Sequence, residues 1–454
     1  MNATVVLAYV IGALVILVGI GVSIGLHEMG HLIPAKLFGL RVPRYMIGFG
    51  PTIFSRRRGE TEYGIKLLPL GGYITMIGMY PPAPDGTERP TRTGILQQLS
   101  DEAKKAEADT LQPGDENRLF HQLPVWKRII IMLGGPAMNL VLAFVFLSIV
   151  LVGFGTPTAT TQVSEVYRCV LTQAQQQQRG VSDPAVQACR SGDTAGPAYA
   201  AGLRAGDVIT SVDGKAVGHT GWDALTSAIQ AKAGQQIALT YTRGGAEHST
   251  TLTPLRTARP VTDANGIVQK NADGTTRTAE VGFAGIGSEL ATVRQPIWSV
   301  PSYLGQNIEA VSGVVIHLPQ RVVAVAKAAF SPAPRDPNGP MSVVGVGRIA
   351  GDVTAMDQVS VADKVATYLS LLGSLNVALC IFNLIPLTPL DGGHVAGALW
   401  EKLRRSFNRI THRKDPGPVD LTKMLPVTYV VAGLMLIMGV VLIYADIVKP
   451  VQLG

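Results

Sequence analysis

The apolar residues of this chain are gathered into four long runs, and that distribution limits the fold before any motif is considered. Residues 1–26 contain no charged side chain. A helix crossing the hydrocarbon core of a bilayer needs about 20 apolar residues, and its backbone polar groups must be satisfied internally. Further runs extend from Ile129 to Phe154, from Val365 to Trp400 and from Leu425 to Tyr444. The composition agrees, with 47% hydrophobic and 16% charged residues over 454 positions, and predicts a membrane protein. The first run has neither a basic segment before it nor a small-residue cleavage site after it, so a retained span is expected rather than a cleaved signal peptide.

Basic residues orient these spans. Arg56, Arg57, Arg58, Lys104, Lys105, Lys127 and Arg128 lie between the first two runs, and Lys402, Arg404, Arg405, Arg409, Arg413 and Lys414 between the last two. Cationic loops stay in the cytoplasm, which places both termini and the stretch from Gly155 to Asp363 outside the plasma membrane. The net charge of +7 is accounted for by this bias, and no basic stretch with interleaved aromatic residues points to nucleic acid. An outside location permits disulfides. Cys169 and Cys189 are expected to pair around a Gln-rich insertion, a closure contributing about 3 kcal/mol. Cys380 stands alone in the third run and is expected as a small buried apolar side chain.

The expected organisation is a polytopic α-helical membrane protein with four transmembrane helices, a membrane-associated β-hairpin and an extracytoplasmic domain. Residues 1–36 form the first span, 37–80 the hairpin region and 81–123 a mobile cytoplasmic loop rich in Pro, Gly, Asp and Glu. The hairpin is read as short strands flanking a polar corner from Ser55 to Glu62. Residues 124–155 form the second span, 156–258 a soluble domain, 259–363 a linker, 364–400 the third span, 401–424 a cytoplasmic loop and 425–447 the fourth span. Within the linker, Val311–Phe330 is apolar but carries His317, Gln320, Arg321 and Lys327 and is interrupted by Pro319. It is read as a broken amphipathic helix at the outer surface, in preference to a fifth span. In the soluble domain, alternation over Asp207–Val212 and Ile237–Tyr241 predicts strands, with a helix over Trp222–Lys232. The string Pro197–Gly214 resembles a circularly permuted PDZ domain of the kind found in bacterial proteases.

His27, Glu28 and His31 form an H-E-x-x-H motif at the end of the first span. Four residues of helix turn the chain by about 400°, so both imidazoles share one face. That spacing suits one zinc ion, with the glutamate beside it to take a proton from water. Ionisable residues are costly in a bilayer, and three together read as function. A catalytic zinc normally has three protein ligands. Asp391, the sole carboxylate between Lys364 and Glu401, is one candidate, and His394 is another. Pro386 and Pro389 break the helix before Asp391, which opens backbone groups for a polar cavity.

Together with Asn383-x-x-Pro386 and Leu390-Asp391-Gly392, the H-E-x-x-H motif resembles the site-2 protease family of intramembrane zinc metalloproteases. Gly48-Phe49-Gly50-Pro51, Pro69-x-Gly71-Gly72, Pro124-x-Trp126-Lys127-Arg128 and Gly135-Pro136-x-x-Asn139 are similar to its bacterial branch that regulates sigma factors. The resemblance implies one zinc per chain, held by His27, His31 and Asp391, with Glu28 as catalytic base. It further implies that Asn383 positions substrate backbone, that Pro386 shapes the cavity, and that the strand containing Gly71, Gly72 and Tyr73 pairs with unwound substrate. The implied substrate is a single-span membrane protein such as an anti-sigma factor, cut first by another protease, or a remnant signal peptide. A single PDZ domain, rather than the tandem pair of the enterobacterial relative, and a high Ala and Gly content are similar to actinobacterial members. A membrane scaffold that binds peptides through its PDZ domain, with a degenerate or structural metal site, is the competing reading. The completeness of the catalytic set weighs against it.

Alkylation of the unreduced, denatured protein is expected to label one thiol, Cys380, with two more appearing after reduction. Labelling of Cys169 and Cys189 without reduction, read by mass spectrometry, would exclude the bond.

Overall fold

The computed structural model describes residues 3–79, 111–171, 175, 178–179, 189–261, 269, 271, 275–331, 335, 339–356, 359–415, 417–419 and 424–450. They form two compact units, Met1–Phe154 with Gln295–Gly454, and Gly155–Arg294.

The uncharged N-terminal run continues through the H-E-x-x-H motif as one helix, α1 (Ala3–Leu37). Two 15-residue strands follow, β1 (Arg44–Arg58) and β2 (Thr61–Thr75), longer than the short strands expected. Each is bent, so that two strands serve as four. Residues 72–75 pair with 44–47, which pair on their other side with 62–65, while 61–66 pair with 52–58. The bend in β1 falls at Gly48 and Gly50, whose φ values of 93° and 85° favour glycine. Among the described residues, segment 72–75 is paired on one side only. The sheet is fixed to α1 by the Tyr45 hydroxyl, which donates to the Gly25 carbonyl at 2.5 Å.

Residues 80–110 of the expected mobile loop lie outside the described residues. The rest of it corrects that expectation. Asp115, 5% exposed, forms an ion pair with buried Arg41 at 2.7 Å, and Phe120 is buried with its N–H donating to the Ile77 carbonyl. A buried pair 74 residues apart in sequence leaves no local pattern to read.

Helix α2 (Val125–Ser148) extends to Phe154 as a π-helical turn. It crosses α1 with the backbones in contact. A Cβ added at Gly134 would lie 2.0 Å from the Gly30 carbonyl oxygen, and one at Gly30 would lie 2.2 Å from that of Gly134.

The second unit is built on β3 (Thr156–Val166), β4 (Cys169–Val170), β5 (Thr194–Ala195), α3 (Pro197–Ala200), β6 (Val208–Val212), β7 (Lys215–Ala216), α4 (Trp222–Ala231), β8 (Ile237–Arg243), β9 (Ala246–Leu252), β10 (Leu255–Pro260), β11 (Thr278–Phe283) and β12 (Ile286–Val293). Its main sheet runs β12-β3-β6-β8-β9, with β7 paired to β6. Leu225 and Ile229 of α4 pack on Val163, Ile209 and Leu239 of the sheet. Burial alone raises the pKa of Asp207, but Arg243 and the Arg204 N–H donate to its carboxylate and hold it below its ordinary value. Cys169 and Cys189 are joined by a disulfide, and Cys380 is free and buried. The boundary expected at residue 258 is corrected: β12 pairs along β3 from Ile286 to Val293, so the unit runs to Arg294. No residue of β12 is fully buried, and its apolar and polar residues do not alternate along the strand, so it has no period-two pattern to read.

The first unit resumes with α5 (Val300–Ile316) and α6 (Leu318–Ala329). These helices meet at 70° around His317, the break that Pro319 predicts. Helix α7 (Val343–Ala355) packs against α1, with the Gly12 position touching Ala350 and the Tyr9 hydroxyl donating to Asp352. Helix α8 (Val361–Asn383) is tied to α1 by the Asn376 amide, which donates to the Ser23 hydroxyl at 2.9 Å. The third apolar run is therefore two helices rather than one: α8 ends at Asn383, residues 384–390 are irregular, and α9 (Asp391–Ile410) begins at the aspartate. Helix α10 (Leu425–Val448) closes the unit against α6. Its Asp446, 2% exposed, meets Arg335 at 2.6 Å and the Ser342 N–H at 2.7 Å. Among the described residues, four helices are long and apolar enough to cross a bilayer, Val6–Leu37, Val125–Phe154, Val361–Asn383 and Leu425–Val448, or five if the bent pair α5–α6 is counted as one span.

One buried ion pair joins α9 to α2. Glu401, fully buried, accepts from both terminal nitrogens of Arg128 at 2.6 and 3.0 Å and from the Val419 N–H at 3.1 Å. Glu401→Ala leaves a buried guanidinium without its anion, and a loss of about 3–5 kcal/mol is expected. An Arg128→Met/Glu401→Leu double variant should recover most of it, as measured by unfolding in detergent. Equal losses in the two would show that the pair's geometry, rather than its charge, carries the stability.

Candidate active site

The i, i+4 spacing on α1 stacks His27 and His31 on one face, and both are buried. Their Nε2 atoms are 3.2 Å apart. Asp391, in the first turn of α9, brings its Oδ2 to 3.3 Å from each. Ligands at 2.0–2.2 Å around one tetrahedral zinc are separated from one another by about 3.3–3.6 Å, so the three atoms have the spacing a metal requires. Asp391 Oδ2 is buried without a well-formed hydrogen bond. Two imidazole nitrogens and a carboxylate oxygen converging on one point are the donor set of a catalytic zinc site. Among the described residues this is the one group of His, Cys, Asp and Glu so arranged.

The other face of the site comes from α2. The His31 Nδ1 lies 2.7 Å from the Ile131 carbonyl, which can only accept, so Nδ1 carries a proton and the neutral ring has its lone pair on Nε2. The Asn139 amide lies 3.0 Å from the His27 Nδ1. Between them, Gly135 leaves the metal face open: a Cβ there would fall 2.2 Å from His31 Nε2 and 2.7 Å from His27 Nε2.

A cavity of about 420 Å³ adjoins these residues, lined by His27, Glu28, His31, Asn139, Asn383, Asp391 and His394 and by Gly71, Gly72, Tyr73 and Ile74 of β2. Glu28 lines the cavity with the metal-binding atoms on one side and Ile74 of the sheet edge on the other. The Asn383 side chain is 3.5 Å from His27 Nε2. One expectation changes. Pro386 is exposed and does not line the cavity; Pro389, the second proline of the break, does. His394 lines the cavity three residues beyond Asp391, one turn further along α9 and outside the converging set. Asn139 received no role from the sequence. Its one signal was its place in the Gly135-Pro136-x-x-Asn139 motif, which marked the family without a role for the residue.

Two histidines and a carboxylate with an adjacent glutamate, all on helices long and apolar enough to span a membrane or on the break between such helices, define the class: a membrane-embedded zinc metallopeptidase. The comparisons agree. Residues 15–414 match the family model for Peptidase family M50. The chain is 31% identical over 452 residues to the zinc metalloprotease Rip1 of Mycobacterium bovis, covering 98% of this chain and 99% of that protein. It is 28% identical over 454 residues to Rip1 of Mycolicibacterium smegmatis, covering 98% of each chain. Against the metalloprotease MmpA of Caulobacter vibrioides it is 26% identical over 409 residues, covering 87% and 88%. The chain belongs to peptidase family M50 and is an intramembrane zinc metalloprotease. The scaffold reading is not favoured.

Gly135→Ala places a methyl group where the metal must sit. Bound zinc, measured by elemental analysis, is expected to fall from one per chain to below about a tenth, while elution in detergent is unchanged. Full retention of zinc would mean that the metal lies on another face of the histidines.

Proposed function

We propose that His27, His31 and Asp391 hold the zinc, that Glu28 is the general base, and that the substrate is a transmembrane segment unwound along residues 71–75. The convergence of His27 Nε2, His31 Nε2 and Asp391 Oδ2 beside Glu28 and an open strand edge carries this reading. Bound there, zinc would supply Lewis acidity and make a water at the site more acidic. Glu28 takes a proton from that water as its oxygen bonds to the scissile carbonyl carbon, and passes the proton to the leaving amine as the C–N bond breaks. A helical substrate hides its carbonyls in hydrogen bonds, so it must be drawn out as a strand first, and pairing with segment 72–75 does so. The Asn383 amide holds the substrate backbone, and the Pro389 turn gives water a polar way in.

On the same reading, the chain lies in the plasma membrane with both termini and residues 155–294 outside. Positive charge in the hairpin and in α9 supports this. So does the packing of Tyr9 and Gly12 against α7, at the end of α1 remote from the H-E-x-x-H motif. The six-stranded sheet with α4 against it supports a PDZ-like domain, which by strand addition binds extended peptides or holds back intact substrates. The substrates are single-span regulators of the anti-sigma type, shortened outside the membrane beforehand, or remnant signal peptides.

Glu28→Gln should keep one zinc per chain and lose cleavage of a single-span substrate by at least about 100-fold, while Asp391→Ala should lose the metal. Full activity in the first variant, or full zinc in the second, overturns the assignment of that residue.

A further inference from the structure

We infer that Asn139 is a positioning residue for the metal centre: its side-chain oxygen faces His27 and accepts the Nδ1 proton, fixing the tautomer whose Nε2 is free for zinc. The inference rests on His27 being a ligand, as proposed above.

Asn139 is fully buried and its amide reaches His27 Nδ1 at 3.0 Å. Drawn with the nitrogen towards the ring, the amide donates to Nδ1, which must then be bare. The ring proton would sit on Nε2, aimed at His31 Nε2 at 3.2 Å and at Asp391 Oδ2 at 3.3 Å. A histidine in that tautomer has no Nε2 lone pair to give a metal. The oxygen and nitrogen of an amide have nearly the same shape, and their assignment follows from the hydrogen bonds they make. As drawn, the Asn139 Oδ1 has no donor within reach, so nothing besides His27 fixes the orientation. Turned over, the oxygen accepts from Nδ1–H and leaves Nε2 bare.

His31 shows the same arrangement with no ambiguity, since the Ile131 carbonyl at 2.7 Å can only accept. Ile131, Gly135 and Asn139 are four residues apart and share one face of α2. That face therefore meets the two histidines with an acceptor for each Nδ1–H and with open space for the metal between them. Second-shell acceptors of this kind fix ring orientation and raise the basicity of the ligand.

The test uses the full-length protein in detergent. Zinc affinity is measured by competition with a chromophoric chelator, and the site is read separately by the visible spectrum of the Co2+-substituted protein. Asn139→Asp can accept but not donate, whereas Asn139→Leu can do neither; Asp391→Ala is the ligand control. The expected result is an affinity within about threefold of wild type for the Asp variant with an unchanged Co2+ spectrum. A loss of about 10–100-fold is expected for the Leu variant, and loss of measurable binding for Asp391→Ala. If the Leu variant binds zinc like wild type while Asp391→Ala does not, Asn139 has no positioning role. If the Asp variant binds as weakly as the Leu variant, the amide donates and the inference is wrong. Should the Leu variant fail to fold, the Asp variant decides alone. Retention of zinc by Asp391→Ala would overturn the ligand reading itself, before Asn139 is in question.

Discussion

The contact between Gly30 and Gly134 sets the position of almost everything else at the centre of this protein. Packed helices usually lie 8–10 Å apart, with side chains filling the gap. Here neither helix has a side chain at the crossing, and a Cβ on either glycine would lie within 2.2 Å of the other's carbonyl oxygen. Without a strong hydrophobic drive between helices in lipid, small residues permit the close packing that replaces it. The consequence is chemical as well as structural. Only at this separation can a backbone carbonyl of α2, at Ile131, reach the ring of a histidine on α1 at 2.7 Å. A larger residue at the crossing would stretch the contacts of both histidines together.

The third donor atom has a different origin, and α2 controls that one too. Asp391 is held in place as the first residue of α9, after the irregular break at residues 384–390 that contains Pro386 and Pro389. A helix attached at one end would leave the carboxylate free to swing. Ten residues further along, Glu401 is locked to Arg128 in a fully buried pair, and Arg128 belongs to the same helix that backs His27 and His31. A buried ion pair is weak evidence for net stability, because desolvation offsets most of its attraction. Its directionality is what an apolar contact lacks, and here it sets the angle at which α9 meets the site.

What could be read from the sequence, and what could not, divides by the range of the interaction. The spans, the H-E-x-x-H face and the break before Asp391 depend on hydropathy, helical period and proline geometry, all local properties. Choosing Asp391 over His394 needed the family resemblance, and the structure brings Asp391, not His394, to the histidines. The doubling of two strands into four was hidden because residues 44–47 pair with two distant segments at once. Asp115 and Phe120 sit in a polar stretch whose composition gives no hint of a partner at Arg41 or Ile77. Pro386 and Pro389 are equivalent by pattern, and only the path of residues 384–390 decides that the second lines the cavity. Asn139 was hidden for a further reason: its chemistry depends on a histidine 112 residues away.

The sheet presents a problem that the site resolves. Unpaired strand edges are excluded from lipid because each exposed backbone group lacks a partner, at a cost of several kcal/mol. Segment 72–75 has such an edge, and Gly72, Tyr73 and Ile74 line the cavity that holds Glu28 and the converging ligand atoms. The edge is thus incomplete in a way that an extended peptide can complete, whereas a helix, with its N–H and C=O groups already used, cannot.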